Sequence, residues 1–295
     1  MASLVAAVAA SHAPTITAAP ETAEAGPRAR VYGAMAALRD ELAAARADVL
    51  VVCSNEHFTN FFLDNFPPFC IGIGDQHTGP AESWLRIPPR VVPGHRALGT
   101  WLLEQALAAD FDPAFSEELR LDHGIMTVLH LLDGDRRTPV VPIIQNCAVH
   151  PMPSLRRCFR LGQVLRRAIE AWPAPARVAL IGAGGLSHWV GRPEMGRINA
   201  EFDRWFLGRL AAGRPEEILQ LRDADVEAAG NGAHEIRSWL TVAGAAGGAR
   251  GRVLAYEPIA PWVTGMGVLT YTGAPGLADG PRAPAPDSRA HAEER

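Results

Sequence analysis

The sequence predicts an α/β fold: a three-layer α/β/α arrangement with a mixed, mostly parallel central sheet, in a single domain. Three observations carry that expectation. The short apolar runs Leu4–Ala10, Val49–Cys53 and Val178–Ala183 read as buried strands. Amphipathic stretches of helical spacing alternate with the strands, the pattern that puts helices against a largely parallel sheet. Each run then breaks into a loop that holds a histidine: Ser11-His12-Ala13-Pro14, Ser54-Asn55-Glu56-His57 and Gly184-Gly185-Leu186-Ser187-His188. Ligands of open α/β sheets bind in the crevice beyond the carboxyl ends of the strands. His12, His57 and His188 are therefore expected to converge on one rim.

The elements follow in order. Pro14 ends the regular structure of the first strand, because proline lacks an amide donor. A helix fits Arg30–Arg46, with Val31, Met35, Leu38, Leu42 and Ala45 at helical spacing. After the second strand, Phe58, Phe61, Phe62, Phe66 and Phe69 form an aromatic loop broken at Pro67-Pro68. That loop is too apolar for open solvent and is expected to line a pocket or to pack between subunits. Residues 71–92 read as irregular with one strand at their start, and a helix over His95–Ala109 carries Leu98, Trp101, Leu102 and Leu107. Asp122 is a good N-cap for a helix that reaches Leu132. It puts His123 in the first turn, where the helix dipole disfavours a proton on imidazole. Thr138–Ile144 is a further strand. Ser154 caps a long amphipathic helix with Leu155, Cys158, Leu165 and Ile169 on its apolar face. Its arginines, Arg156, Arg157, Arg160, Arg166 and Arg167, are expected to form a solvated face.

Beyond the third histidine, helices over Arg197–Ala211 and Glu216–Leu221 lead to the turn Gly230-Asn231-Gly232 and a last helix from Ala233. There Glu235 shares a stripe with Trp239 and Val242, and His234 shares one with Arg237, Ser238 and Thr241. Glu235 is expected to point inward and His234 to water. An unpaired carboxylate is costly to bury, so Glu235 needs a cation, either an arginine or a metal. Strands over Arg252–Tyr256 and Met266–Tyr271 close the fold at residue 273. Residues 274–295 are mostly Gly, Pro, Ala, Asp and Arg, and a disordered tail is expected.

Composition excludes several classes. The 295 residues suffice for a full core, and a net charge of −4 offers no basic footprint for nucleic acid. No stretch approaches the roughly 18 uninterrupted apolar residues of a membrane span. Met1–Ala10 is apolar but lacks the positive start of a signal peptide. Cys53, Cys70, Cys147 and Cys158 form no CxxC pair, which points to reduced thiols in a cytoplasm. Gly182-Ala183-Gly184-Gly185 lacks the third spaced glycine of a dinucleotide site, and Ser187 lacks the flanking glycines of a nucleophile elbow. His77, His95, His150 and His291 are expected to be solvated, and His130 to be a packed helix residue.

Two imidazoles and one carboxylate, with positions left open, are the ligand set of non-haem Fe(II) sites that handle O2. The candidates are His12, His57 and Glu235. Residue types alone leave open a Zn2+ hydrolase at the same three ligands and a binding protein without catalysis.

Further residues carry a resemblance. Ser11-His12-Ala13-Pro14, Asn55-Glu56-His57-Phe58 with Phe61-Phe62 and Pro67-Pro68-Phe69-Cys70, Leu121-Asp122-His123-Gly124, Gly184-Gly185-Leu186-Ser187-His188 and His234-Glu235-Ile236-Arg237-Ser238-Trp239 follow one another in the chain. In this order they resemble the class III extradiol ring-cleavage dioxygenases, over nearly the whole chain to about residue 273. The resemblance implies Fe(II) on His12, His57 and Glu235, with His123 and His188 flanking the substrate as acid and base. It implies a small aromatic diol and O2 as reactants, the ring being cleaved beside the diol with both oxygen atoms incorporated. A 2-aminophenol would chelate the same metal. A homo-oligomer is expected, with a separate small subunit as the alternative arrangement. Two departures stand out: Glu56 occupies a position where many members carry Asp, and the stretch between His188 and Glu235 is short.

Overall fold

The three histidine-bearing runs are neighbours in one sheet. A computed structural model describes residues 1–274 and Leu277. The tail expected over 274–295 lies, apart from Ala274 and Leu277, outside the described residues. The strands are β1 (Ser3–Ala10), β2 (Val49–Asn55), β3 (Phe69–Gly72), β4 (Gln76–Gly79), β5 (Arg90–Pro93), β6 (Ala114–Ser116), β7 (Val140–Gln145), β8 (Arg177–Ala183), β9 (Arg252–Ile259) and β10 (Thr264–Thr270). Among the described residues, eight of them form the main sheet in the order β6-β3-β7-β2-β8-β1-β10-β9. The centre, β7-β2-β8-β1, is parallel throughout, while β3 joins β7, and β10 joins β1 and β9, in antiparallel pairs. This is the mixed, mostly parallel sheet expected from the sequence.

The register aligns the strand tips. Ala10 of β1 stands opposite Ala183 of β8, and Gly182 of β8 stands opposite Cys53 of β2. The loops that leave these strands therefore start at the same edge, and this brings His12, His57 and His188 together.

Helices cover both faces, as an α/β/α sandwich requires. Val5, Val8, Leu50, Val52 and Ile181 pack on one face with helices Ala25–Ala45 and His123–Leu132. Ala7, Val49, Val51, Val178 and Leu180 pack on the other with Arg96–Ala108, Leu155–Ala171, Ala200–Ala211 and Ile236–Ala245. Alternate residues of each central strand face opposite helix layers, which is why these strands are apolar along their whole length.

Several expectations need correction. Residues 71–92 are more ordered than their Gly and Pro content suggests: β4 and β5 pair as a separate two-stranded sheet, with His77 opposite Val92. His77 is fully buried, its Nδ1 accepting from the Leu119 amide at 3.1 Å, and burial pushes its pKa down to about 4. His130 is exposed, and His95 is half-buried, its ring capping the Arg96–Ala108 helix by accepting from the Leu98 amide at 3.1 Å. The short strand β6 has no counterpart in the sequence reading, and the first long helix begins at Ala25, five residues before Arg30.

The last helix departs most. Every residue of Ile236–Ala245 is buried, including Arg237, Ser238 and Thr241 on its polar stripe. It is sandwiched between the sheet and Leu155–Ala171, and two glycines allow that approach. A Cβ on Gly162 would lie 1.8 Å from the Thr241 carbonyl oxygen, and one on Gly244 would lie 2.0 Å from that of Phe159. Arg237 and Thr241 are satisfied internally: Arg237 Nε donates to the Pro153 carbonyl at 2.8 Å, Gln145 Nε2 donates to Thr241 Oγ1 at 2.7 Å, and Thr241 Oγ1 donates to the Cys158 carbonyl at 3.1 Å.

Candidate functional site

Glu235 is the centre of the site. It ends a short 3-10 turn, Asn231–Glu235, just before the last helix, and its carboxylate faces the strand tips. His12 Nε2 lies 3.0 Å from Oε2, His188 Nε2 lies 3.4 Å from Oε1, and His57 Nε2 lies 3.8 Å from Oε1. Residues far apart in the chain thus meet around one buried carboxylate. His123 joins them from the helix whose first turn it occupies: its ring is 3.9 Å from that of His57 and 5.6 Å from that of His12, centroid to centroid. One nitrogen from each of His12, His57 and His123 falls within 4.8 Å of the others.

The two glycines that follow β8 seat this residue. A Cβ on Gly184 would lie 2.6 Å from the Glu235 carbonyl oxygen, and the Gly185 amide donates to Glu235 Oε2. The turn at 230–232 packs equally closely over His188: a Cβ on Gly232 would fall 2.1 Å from its Nε2, and one on Gly230, at φ 115°, would fall 2.0 Å from its carbonyl oxygen. Asn231 between them accepts from the Val190 amide and donates to its carbonyl, both at 2.9 Å. The Gly-rich strand tip is therefore a contact surface for the acidic turn. Ser187 adds a further anchor, its Oγ donating to buried Asp203 at 2.8 Å, which also accepts from Tyr256 at 2.8 Å.

Each imidazole is oriented by a second group. Asp122, read from the sequence as a helix cap, does cap Gly124 at 2.9 Å, and its other oxygen accepts from His57 Nδ1 at 2.8 Å. That bond fixes the tautomer and leaves His57 Nε2 with its lone pair toward Glu235. Asn55 Nδ2 reaches both His57 Nε2 at 2.8 Å and Glu235 Oε1 at 3.3 Å. His188 Nδ1 donates to the Leu186 carbonyl at 2.8 Å, which frees its Nε2 in the same way. Glu82 accepts from both the backbone and Nδ1 of His123, at 3.1 and 2.6 Å. Nothing in residues 71–92 marks Glu82 from sequence, because its partner lies 41 positions away. Glu56 holds the start of the aromatic loop, its carboxylate accepting from the Thr59, Asn60 and Phe61 amides.

The electrostatics of the cluster call for positive charge. Burial would push the Glu235 carboxyl up, yet His12 and His188 hold it well below the usual carboxylate range. Burial disfavours a proton on His57, but Asp122 and Glu235 outweigh it and lift the ring to about 10. His188 is raised as well, the Glu235 charge overcoming burial. His123 moves down, through burial and then the nearby His57 charge; its low proton affinity was expected, but from the helix dipole. A buried anion ringed by imidazole lone pairs fits a divalent cation bound by nitrogen and carboxylate oxygen.

His234, expected in water, is fully buried. Its 3-10 turn has three residues per turn, which moves it off the helical stripe assumed for it. Its Nε2 pairs with Glu227 at 2.9 Å, and its Nδ1 faces Arg237 Nη1 at 2.7 Å.

The cluster lies at the base of a 490 Å³ cavity. Phe58 lines it as expected of the aromatic loop, whereas Phe61 does not reach it. Trp84, Trp189, Val190 and Met195 are the other large apolar side chains of its wall. No helix among the described residues is long and apolar enough to cross a membrane.

Comparison with known proteins agrees with this architecture. Residues 6–267 match the family described as the catalytic LigB subunit of aromatic ring-opening dioxygenase. A relative from Cupriavidus necator, named 2,3-dihydroxyphenylpropionate/2,3-dihydroxicinnamic acid 1,2-dioxygenase, is 32% identical over 82% of this chain and 90% of its own length. A protein of the same name from Paraburkholderia xenovorans is 32% identical over 79% of this chain and 87% of its own, and one from Escherichia coli O81 is 26% identical over 81% and 90%. Among solved structures, an uncharacterized protein from Escherichia coli K12 superposes with a TM-score of 0.55 at 17% identity, covering 80% of this chain and 91% of the other, a likeness of fold. With the family model spanning nearly the whole fold, and four landmark histidines gathered with Glu235 of the fifth at one edge of the sheet, the chain belongs to the class III extradiol ring-cleavage dioxygenases.

Proposed function

We propose that this enzyme opens the ring of a catechol-type diol beside its hydroxyls, using O2 and an Fe(II) ion held by His12, His57 and Glu235. The observation that carries the assignment is the meeting of His12 Nε2 and His57 Nε2 with the Glu235 carboxylate, at 3.0 and 3.8 Å. An Fe(II) ion in that set would supply open positions for both reactants and a path for electrons between them.

The chain's own groups do the rest. His188 takes a phenolic proton on Nε2: its Nδ1–H is committed to the Leu186 carbonyl, and the adjacent Glu235 charge makes the ring more basic. His123 is the acid. Burial makes its imidazolium a ready donor, and Glu82 at 2.6 Å holds Nδ1 so that Nε2 carries the mobile proton. Asp122 keeps His57 in the tautomer that presents Nε2. The apolar walls narrow the access of water to the reacting groups and position the ring.

The test is oxygen uptake by anaerobically purified, Fe(II)-loaded protein with a panel of catechols and a 2-aminophenol, monitored for a yellow ring-fission product. Stoichiometric uptake with a diol is expected. Zinc as the bound metal, with no uptake, would overturn the iron assignment.

A further inference from the structure

Resting on the ring-cleavage reading above, we infer that the substrate's ring carries a neutral, apolar substituent, and that a carboxylate-bearing side chain is selected against. The relatives named above are called after substrates with a carboxylate, so the cavity of this chain predicts a different preference.

The charge of the cavity is the first argument. Apart from the imidazoles, every cationic side chain of this protein is an arginine, since the sequence contains no lysine. Among the described residues no arginine lines the cavity, whereas two carboxylates, Glu56 and Glu235, do. Four arginines lie two positions from a lining residue: Arg86, paired with Glu21, Arg237, paired with Asp223, and Arg192 and Arg197, on the exposed segment that follows Trp189. Arg197 stacks on Trp189, its guanidinium carbon 5.1 Å from the ring centroid, and lies outside the lining. Beyond these carboxylates and the four imidazoles of the cluster, the polar wall is uncharged: Asn55, Asn231, Thr264 and Cys147, whose thiol burial pushes well above its ordinary value. A substituent carboxylate directed away from the imidazole cluster would lose water and meet no arginine in the wall.

The shape of the mouth is the second, independent argument. Phe58, Trp84, Val190 and Met195 line the cavity and are each 46 to 58% exposed, so large apolar side chains stand in water around one opening. Such a rim gains by covering an apolar group. A volume of 490 Å³ is that of cavities holding whole drug-sized ligands, more than one bare ring needs. An alkyl or aryl substituent projecting from the metal-bound end toward Trp84 and Met195 fills the excess.

A matched pair tests the inference: 3-butylcatechol against 3-(2,3-dihydroxyphenyl)propionate, similar in size and different in charge. With Fe(II)-loaded enzyme at pH 7, kcat/KM for the butyl compound is expected to exceed that for the acid at least tenfold. Along a 3-alkyl series it should rise about fourfold per buried methylene until the wall is reached. An equal or higher kcat/KM for the acid overturns the inference and leaves ring cleavage standing. If neither compound nor catechol is opened, the ring-cleavage reading fails. The substituent preference is then judged by anaerobic titration of tryptophan fluorescence, with Trp84 and Trp189 as reporters: tighter binding of the acid overturns it, tighter binding of the butyl compound supports it. Met195→Arg is expected to shift the ratio at least tenfold toward the acid, and a ratio it leaves unmoved overturns charge as the discriminant.

Discussion

Two clusters of imidazole and carboxylate flank the same short turn, and they differ in what supplies their positive charge. On one side His12, His57, His123 and His188 surround Glu235; on the other His150, Glu227 and Asp223 surround His234. By residue type either could hold a metal. In the second, however, Arg237 lies fully buried against His234 Nδ1 and pairs with Asp223 at 2.7 Å. The guanidinium donates to Nδ1, so the His234 proton must sit on Nε2, where it is given to Glu227. No lone pair is left for a metal. Burial and then the Arg237 charge push the His234 pKa down, while the first cluster lifts His57 to about 10. A cluster with a fixed cation is complete; one without must recruit a cation.

Substitutions on the two sides should separate accordingly. The largest effect is expected at Glu235→Ala, with loss of bound metal by elemental analysis and of all measurable turnover; retained iron would break the contrast. His188→Ala should keep the metal and lose turnover by roughly 10²- to 10⁴-fold, the usual share of general acid–base catalysis. Normal kcat in that variant would remove His188 as the base. Asp122→Asn preserves shape but removes the charge behind His57, and metal affinity measured by competition with a chelator should fall about 10- to 100-fold. Across the turn, Arg237→Met leaves Asp223 and His234 without their buried partner and should cost about 3 kcal/mol in denaturant unfolding. The iron-to-protein ratio of the folded fraction should stay unchanged. The smallest effect belongs to half-exposed Glu227: Glu227→Gln should change stability by about 0.5 kcal/mol or less and leave metal content alone. A drop in metal content there would mean that the second cluster also binds.

Much of this contrast is legible in the sequence, though unevenly. The apolar runs that end in His12, His57 and His188 are local signals, and strands buried on both faces leave little freedom in where their tips lie. Glu235 was identified by its inward stripe. The same reasoning failed one residue earlier, at His234, because a 3-10 turn replaces the expected helix start and because Gly162 and Gly244 let a second helix bury the polar stripe. Glu82 and Asp203 were missed altogether: each acts through a partner distant in the chain, and their surroundings in sequence carry no periodicity.

The sequence by itself determined the layered α/β architecture, the three strand-tip histidines and the acidic residue that joins them, because hydrophobic periodicity and breaks at Gly and Pro are written within a few residues. Only the tertiary structure decided which imidazole nitrogens face inward, which of two similar clusters is already neutralised, and that the cavity above the site is apolar and without an arginine. Those properties depend on hydrogen bonds and burial between segments tens to hundreds of residues apart, and no local pattern encodes them.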